Sequence, residues 1–217
     1  MKEIQTELVG AEMVLIYSCF VGFFHFMLRS VVYLFAIYYG LLCTSLQRLC
    51  KYLLQQFNDD CTIEEVKSLL YIQANISKIL QSAEECLSFH ALVAIVISMI
   101  GLFREGYKAT VASSLNREAF LPPALASIYF LTLHFLITIP ASLLNEKLDD
   151  MKHFVQHLPN RMPRHRKEVK FELRKNFFPE KRLSLWKICQ LNRAVVVTSL
   201  GTLLTYGILI ASLGKSH

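Results

Sequence analysis

The chain has 217 residues, 53% of them hydrophobic and 12% aromatic, with a mean hydropathy of +0.38. That is too apolar for an ordinary water-soluble domain of this size. The net charge of +6 does not signal nucleic acid either, because twelve of the 23 Lys and Arg crowd into 147–187 beside apolar stretches and form no nucleic-acid motif.

Apolar blocks of roughly 18 to 30 residues alternate with charged stretches, the pattern of helices that cross a bilayer. The expected fold is all-α: one transmembrane domain over 1–217 with four spans and long cytoplasmic helix extensions. The first apolar run opens near Val9 and continues past Leu42, longer than the hydrophobic core of a signal peptide, so no cleaved leader is expected. The first span lies within 11–44. About 34 residues at 1.5 Å rise make a rod near 50 Å, too long for one crossing and too short for two, which predicts a single helix protruding inward. The polar stretch 47–60 should end it. Thr62 and Glu65 then stand at capping-box spacing, so a new helix starts there. It is amphipathic over 63–85 and runs without a breaker into the second span, 86–103. A polar loop is expected over 104–121. Pro122 and Pro123 suit the first turn of a third span, 122–144, with Pro140 kinking its inner end. Beyond it, Pro159, Pro163 and Pro179 read as breaks, with a helix over 168–178. The last span, 194–213, carries no charge.

Orientation follows from the cations. Segments 45–85 and 145–190 hold 4 and 12 Lys plus Arg, against 5 for the N-terminus, the 104–121 loop and the C-terminus together. The richer segments therefore face the cytosol and both termini face outward. The six cysteines form no CxxC pair and lie in spans or in segments assigned to the cytosol, so neither a disulfide framework nor a zinc site is expected.

Little in the chain points to catalysis. His153 and His157 stand at i, i+4, a metal-compatible spacing, but no third ligand supports them, and a solvated face is the simpler reading. His25, His90 and His134 lie in or near spans, where packing or hydrogen bonding outweighs a proton relay. No Ser/His/Asp set, Gly-rich phosphate loop or HExxH occurs, so neither an enzyme nor a cofactor is expected. Arg29 is the odd residue, since an uncompensated guanidinium in mid-span costs at least about 3 kcal/mol. Either it lines a cavity among Phe20, Phe23, Phe24, Phe26, Tyr33 and Phe35, or it snorkels to an interface. The aromatic clusters Tyr17–Phe26 and Tyr129, Phe130, Phe135 either pack against lipid and core or wall an apolar pocket for small organic molecules. For that pocket the candidate ligand-binding residues are Tyr17, Phe24, Arg29, Phe103, Tyr129 and Phe130.

The C-terminal third carries a more specific pattern. Leu191-Asn192-Arg193-Ala194-Val195-Val196-Val197 is followed by Gly201-Thr202-Leu203-Leu204-Thr205-Tyr206-Gly207-Ile208-Leu209-Ile210. It resembles the last helix of the insect-type gustatory and odorant receptor superfamily, in which an Asn-Arg pair and an aliphatic run precede Thr-Tyr. Here Ala211-Ser212-Leu213 stand where that family usually has Gln-Phe. Asn192, Arg193, Thr205 and Tyr206 are the motif positions. The resemblance implies a chemosensory receptor subunit of the cell membrane, a ligand-gated cation channel that takes a small tastant or odorant and assembles as a homo- or hetero-tetramer. It also implies that the chain corresponds to helices four to seven of seven, whose outward termini agree with the charge count, and that the first three are absent. Segments 45–85 and 145–190 would build a central anchor and the last helix the pore. Thr202, Thr205, Ile208 and Leu209 share one broad helical face and are the candidate pore-lining residues. The rival reading is a four-helix membrane scaffold or assembly protein that conducts nothing.

Overall fold

The structure, a computed structural model, describes residues 2–56, 62–115, 120–162, 165–175, 183–185, 189–191 and 193–213. Apolar residues follow one another with no proline in the first 56 positions, and the chain forms a single helix there, α1 (Lys2–Gln56). It is followed by α2 (Ile63–Leu115), α3 (Leu121–Arg161), α4 (Arg166–Lys175), the strands β1 (Ser184–Leu185) and β2 (Cys189–Gln190), and α5 (Arg193–Leu213). Helices α1, α2 and α3 are long and apolar enough to cross a membrane. With 55, 53 and 41 residues they measure about 80, 80 and 60 Å, at least twice the ~30 Å of a hydrocarbon core.

Two helix starts form as their residues dictate. Thr62 and Glu65 make the reciprocal capping box, the Thr62 N–H donating to Glu65 Oε2 (2.9 Å) and the Glu65 N–H to Thr62 Oγ1 (3.4 Å). At α3, prolines occupy the first turn, where their missing N–H groups cost no hydrogen bond.

Helix ends depart from expectation. The 47–60 stretch does not end α1 at its polar onset, since the helix continues to Gln56. The 104–121 loop is largely helix, because α2 runs on to Leu115. Polarity there does not mark where the backbone stops coiling, and the Glu105–Lys108 ion pair at i, i+3 supports the continuation. Pro159 likewise fails to break α3, which ends two residues later at Arg161, where little helix remains to lose. The helix expected over 168–178 forms as α4, two residues early, while Pro163, Phe178 and Pro179 lie outside the described residues. The described chain is almost entirely helical, as expected, with one short antiparallel strand pair, β1/β2, in which Ser184 pairs with Gln190 and Leu185 with Cys189.

α3 packs between α1 and α2 and forms the spine of the core. Leu133, Ile137, Ala141 and Leu144 recur along its buried stripe. Small residues let the helices approach: Ala36 and Cys43 on α1 and Ala91 and Ala94 on α2 are buried. A close backbone approach lies at Gly40. Pro140 has no N–H, which leaves the Leu136 carbonyl without its helical partner, and a Cβ on Gly40 would sit 2.8 Å from that oxygen. Only glycine brings α1 this near to α3. Packing continues into the polar ends of the helices, where Leu53, Val66, Val155, Leu158 and Val169 are buried together. Where they are described, segments 45–85 and 145–190 are therefore part of the same continuous core.

The strand pair is anchored to α3 by Asn145 and to α2 by Glu84. Asn145 donates through Nδ2 to the carbonyls of Leu183 (2.8 Å) and Leu191 (2.7 Å), and its Oδ1 accepts from the Leu183 N–H (2.9 Å). Ser184 adds a buried hydrogen bond to Glu84 on α2 (2.7 Å). These bonds satisfy backbone and side-chain groups that would otherwise be buried unpaired.

A candidate ligand cavity between the first three helices

A cavity of about 210 Å³ opens between α1, α2 and α3. Helix α1 lines it with His25, Leu28, Arg29 and Val32, and α2 with Ile97, Ile100, Gly101 and Arg104. Both sets follow the i, i+3, i+4, i+7 spacing of one helical face. Tyr129 and Phe130 of α3 close the third side.

Arg29 reaches the cavity beneath aromatic rings. Its guanidinium carbon lies 5.5 Å from the Phe130 ring centroid and 5.9 Å from that of Tyr129, within cation–π range. The Tyr129 hydroxyl donates to the Arg29 carbonyl (2.8 Å), and the Tyr129 ring stacks on Tyr33 at 5.6 Å. The Arg29 Nε is buried with no hydrogen-bond partner. The rings around the guanidinium therefore come mainly from α3. Phe20, Phe23, Phe24 and Phe26, expected beside it, are largely exposed; the spacings of Phe20, Phe23 and Phe24 turn them away from Arg29, and Phe26, three residues back, is exposed as well. Phe130 itself lies flat on Gly101, where a Cβ would fall 2.5 Å from the ring.

At the cavity's α2 wall, Arg104 donates to Glu105 through Nε (2.8 Å) and Nη2 (2.6 Å). Lys108 shares the same carboxylate at 3.3 Å. The Glu105 side chain is 5% exposed, and a carboxylate so placed needs its cations.

The sequence-derived ligand residues divide. Arg29, Tyr129 and Phe130 line the cavity, whereas Tyr17 and Phe24 are 70% and 64% exposed and lie away from it. Phe103 faces α5 instead, its ring 5.0 Å from Tyr206 in an edge-on contact. His25, Gly101 and Arg104 are cavity residues that sequence reasoning missed. The two matching stripes carry the signal, but the charge of Arg104 makes it look like the start of a loop.

Helix α5 docks on the reverse of the same walls. The buried His134 bridges Ser98 of α2 (Nδ1 to Oγ, 3.2 Å) and Ser199 of α5 (Nε2 to Oγ, 3.0 Å). Along another face of α5, Thr198, Thr202 and Thr205 each donate to the carbonyl four residues back, at 2.7 to 2.8 Å. Thr205 and Leu209 are exposed and Thr202 partly so. Arg193 opens α5, but its side chain and that of Ile208, like the whole of Asn192, lie outside the described residues. The His153 and His157 rings stand 4.7 Å apart, and among the described residues no three His, Cys, Asp or Glu gather as metal ligands.

No family model matches the chain, and no curated protein matches it.

Proposed function

We propose that this chain is a chemosensory receptor subunit of the gustatory type, a ligand-gated cation channel of the cell membrane. Its ligand site is the cavity between α1, α2 and α3, and α5 is a fourth span that lines the pore of a tetramer. The observation that carries the reading is the shared use of two turns of α2. Ile97, Ile100, Gly101 and Arg104 face the cavity, while Ser98 and Phe103 hold α5 through His134 and Tyr206. A ligand that prefers one spacing of the cavity walls biases the position of α5, and gating is that population shift. The pore opens when the last helices splay and a hydrophobic constriction wets. Support from the sequence is the Asn192-Arg193 to Thr205-Tyr206 pattern and the cation asymmetry, which puts 45–85 and 145–190 in the cytosol and both ends of the chain outside.

A second reading has its own support. The α1 residues from Met13 to Leu28 are exposed and strongly apolar, as in a non-conducting membrane scaffold that binds other helices. One experiment separates the two. Cysteines are placed singly from Thr202 to Ala211 in cells expressing the chain, and currents are evoked with a panel of sugars, bitter alkaloids and volatile odorants. Block by a water-soluble thiol reagent at positions three or four apart is the channel outcome. If no position blocks, or no current arises, the scaffold reading takes its place.

A further inference from the structure

We propose that the cavity takes a small amphipathic carboxylate, an apolar body bearing a single anionic head. The ligand class so named rests on the receptor reading of this cavity and adds to it. The walls are aliphatic and aromatic apart from His25 and two guanidinium groups, Arg29 and Arg104, and among the described residues no Asp or Glu lines them. Arg104 is bonded to Glu105, but that carboxylate is shared with Lys108, so it balances only one of two cations. Arg29 has no carboxylate among the described residues, and its Nε is buried and unpartnered. The Phe130 and Tyr129 rings stabilise its charge without offering a hydrogen-bond acceptor. A buried donor left unmade is costly, and a carboxylate matches the planar donor fork of arginine. A neutral acceptor such as a hydroxyl can take one N–H of the guanidinium but leaves its charge unbalanced, and a cation is repelled. The volume of about 210 Å³ falls below the roughly 300 Å³ where sites for drug-sized molecules begin, which limits the apolar body to a short chain or a single ring.

Free carboxylates and the anionic headgroups of bilayer lipids share this chemistry, and the structure favours the free molecule because the walls around the arginines are apolar and the space is small. The test uses the purified chain in nanodiscs of phosphatidylcholine, with calorimetric titration of octanoate against 1-octanol and empty nanodiscs subtracted. Octanoate should bind at least about tenfold tighter than octanol, the factor that one charge-assisted hydrogen bond supplies. Arg29→Leu should erase that preference and Arg29→Lys, which keeps the charge but loses the fork, should reduce it. Arg104→Gln provides a second reduction should Arg29→Leu not reconstitute. Equal binding of the two probes to the unaltered chain, or a preference that survives Arg29→Leu, overturns the proposal. Loss of octanoate binding when phosphatidylglycerol is added assigns the arginines to a lipid headgroup and overturns it as well, while unchanged binding supports the free ligand. Binding needs no current, so failure here leaves the α5 cysteine scan standing, and a silent scan beside an intact octanoate preference sinks the channel alone.

Discussion

Replacing Gly101 by alanine puts a methyl group where the Phe130 ring now lies. The added Cβ would stand 2.5 Å from Cδ1 and Cε1 of the ring and 2.6 Å from Cγ. Ordinary carbon contacts fall near 3.5 to 4.0 Å, so the ring must retreat by about 1 Å or more. It has little freedom to do so, being 6% exposed and set edge-on against Tyr129 at 5.2 Å, with the Arg29 guanidinium above it. The open direction is the cavity. Overpacking of this kind costs about 1–3 kcal/mol, which lowers the melting temperature of a chain this size by roughly 2–12 °C. The measurement is thermal unfolding of the purified protein in detergent for Gly101→Ala, Phe130→Leu and the double variant. Phe130→Leu removes the obstructing ring, so the double variant should recover part of the Gly101→Ala loss and give a coupling of about 1 kcal/mol or more. Additive losses, or a Gly101→Ala protein within about 0.5 kcal/mol of the original, would refute a glycine-dependent ring contact.

Gly40→Ala should cost more than Gly101→Ala, because the atom met at 2.8 Å is the Leu136 backbone oxygen and cannot rotate aside; a melting temperature equal to or above that of Gly101→Ala contradicts this. Asn145→Ala leaves the Leu183 N–H and the Leu191 carbonyl without the clamp, while the Leu183 carbonyl keeps the Leu191 N–H, so at about 1–3 kcal/mol for each lost partner the melting temperature should fall by at least about 4 °C, and an unchanged one counts against the clamp. Epitope tags at the two ends should both stain on intact cells, whereas a tag inserted within 145–190 should stain only after permeabilisation; an end that needs permeabilisation reverses the proposed topology.

What the sequence determined by itself is what neighbouring residues decide among themselves. Thr62 and Glu65 are three positions apart and cap α2 whatever packs around them. Pro122 and Pro123 open α3 for an equally local reason. The long apolar runs of α1, α2 and α3 specify membrane-length helices because a helix satisfies its own backbone without partners. Even here the helix ends are not legible, since a charged residue such as Arg104 fixes no dihedral angle and here continues the helix into the cavity wall. The cavity belongs to the tertiary structure alone. Tyr129 reaches the Arg29 carbonyl across 100 residues of chain, His134 joins Ser98 and Ser199 across 36 and 65, and Asn145 finds Leu183 across 38. Local spacing shows which residues share a helical face, and so 25, 28, 29 and 32 could be grouped. Which face meets which is settled by how closely two backbones come together, and that depends on contacts such as Gly40 against Leu136 and Gly101 beneath Phe130, where the decisive feature is a side chain that is not there.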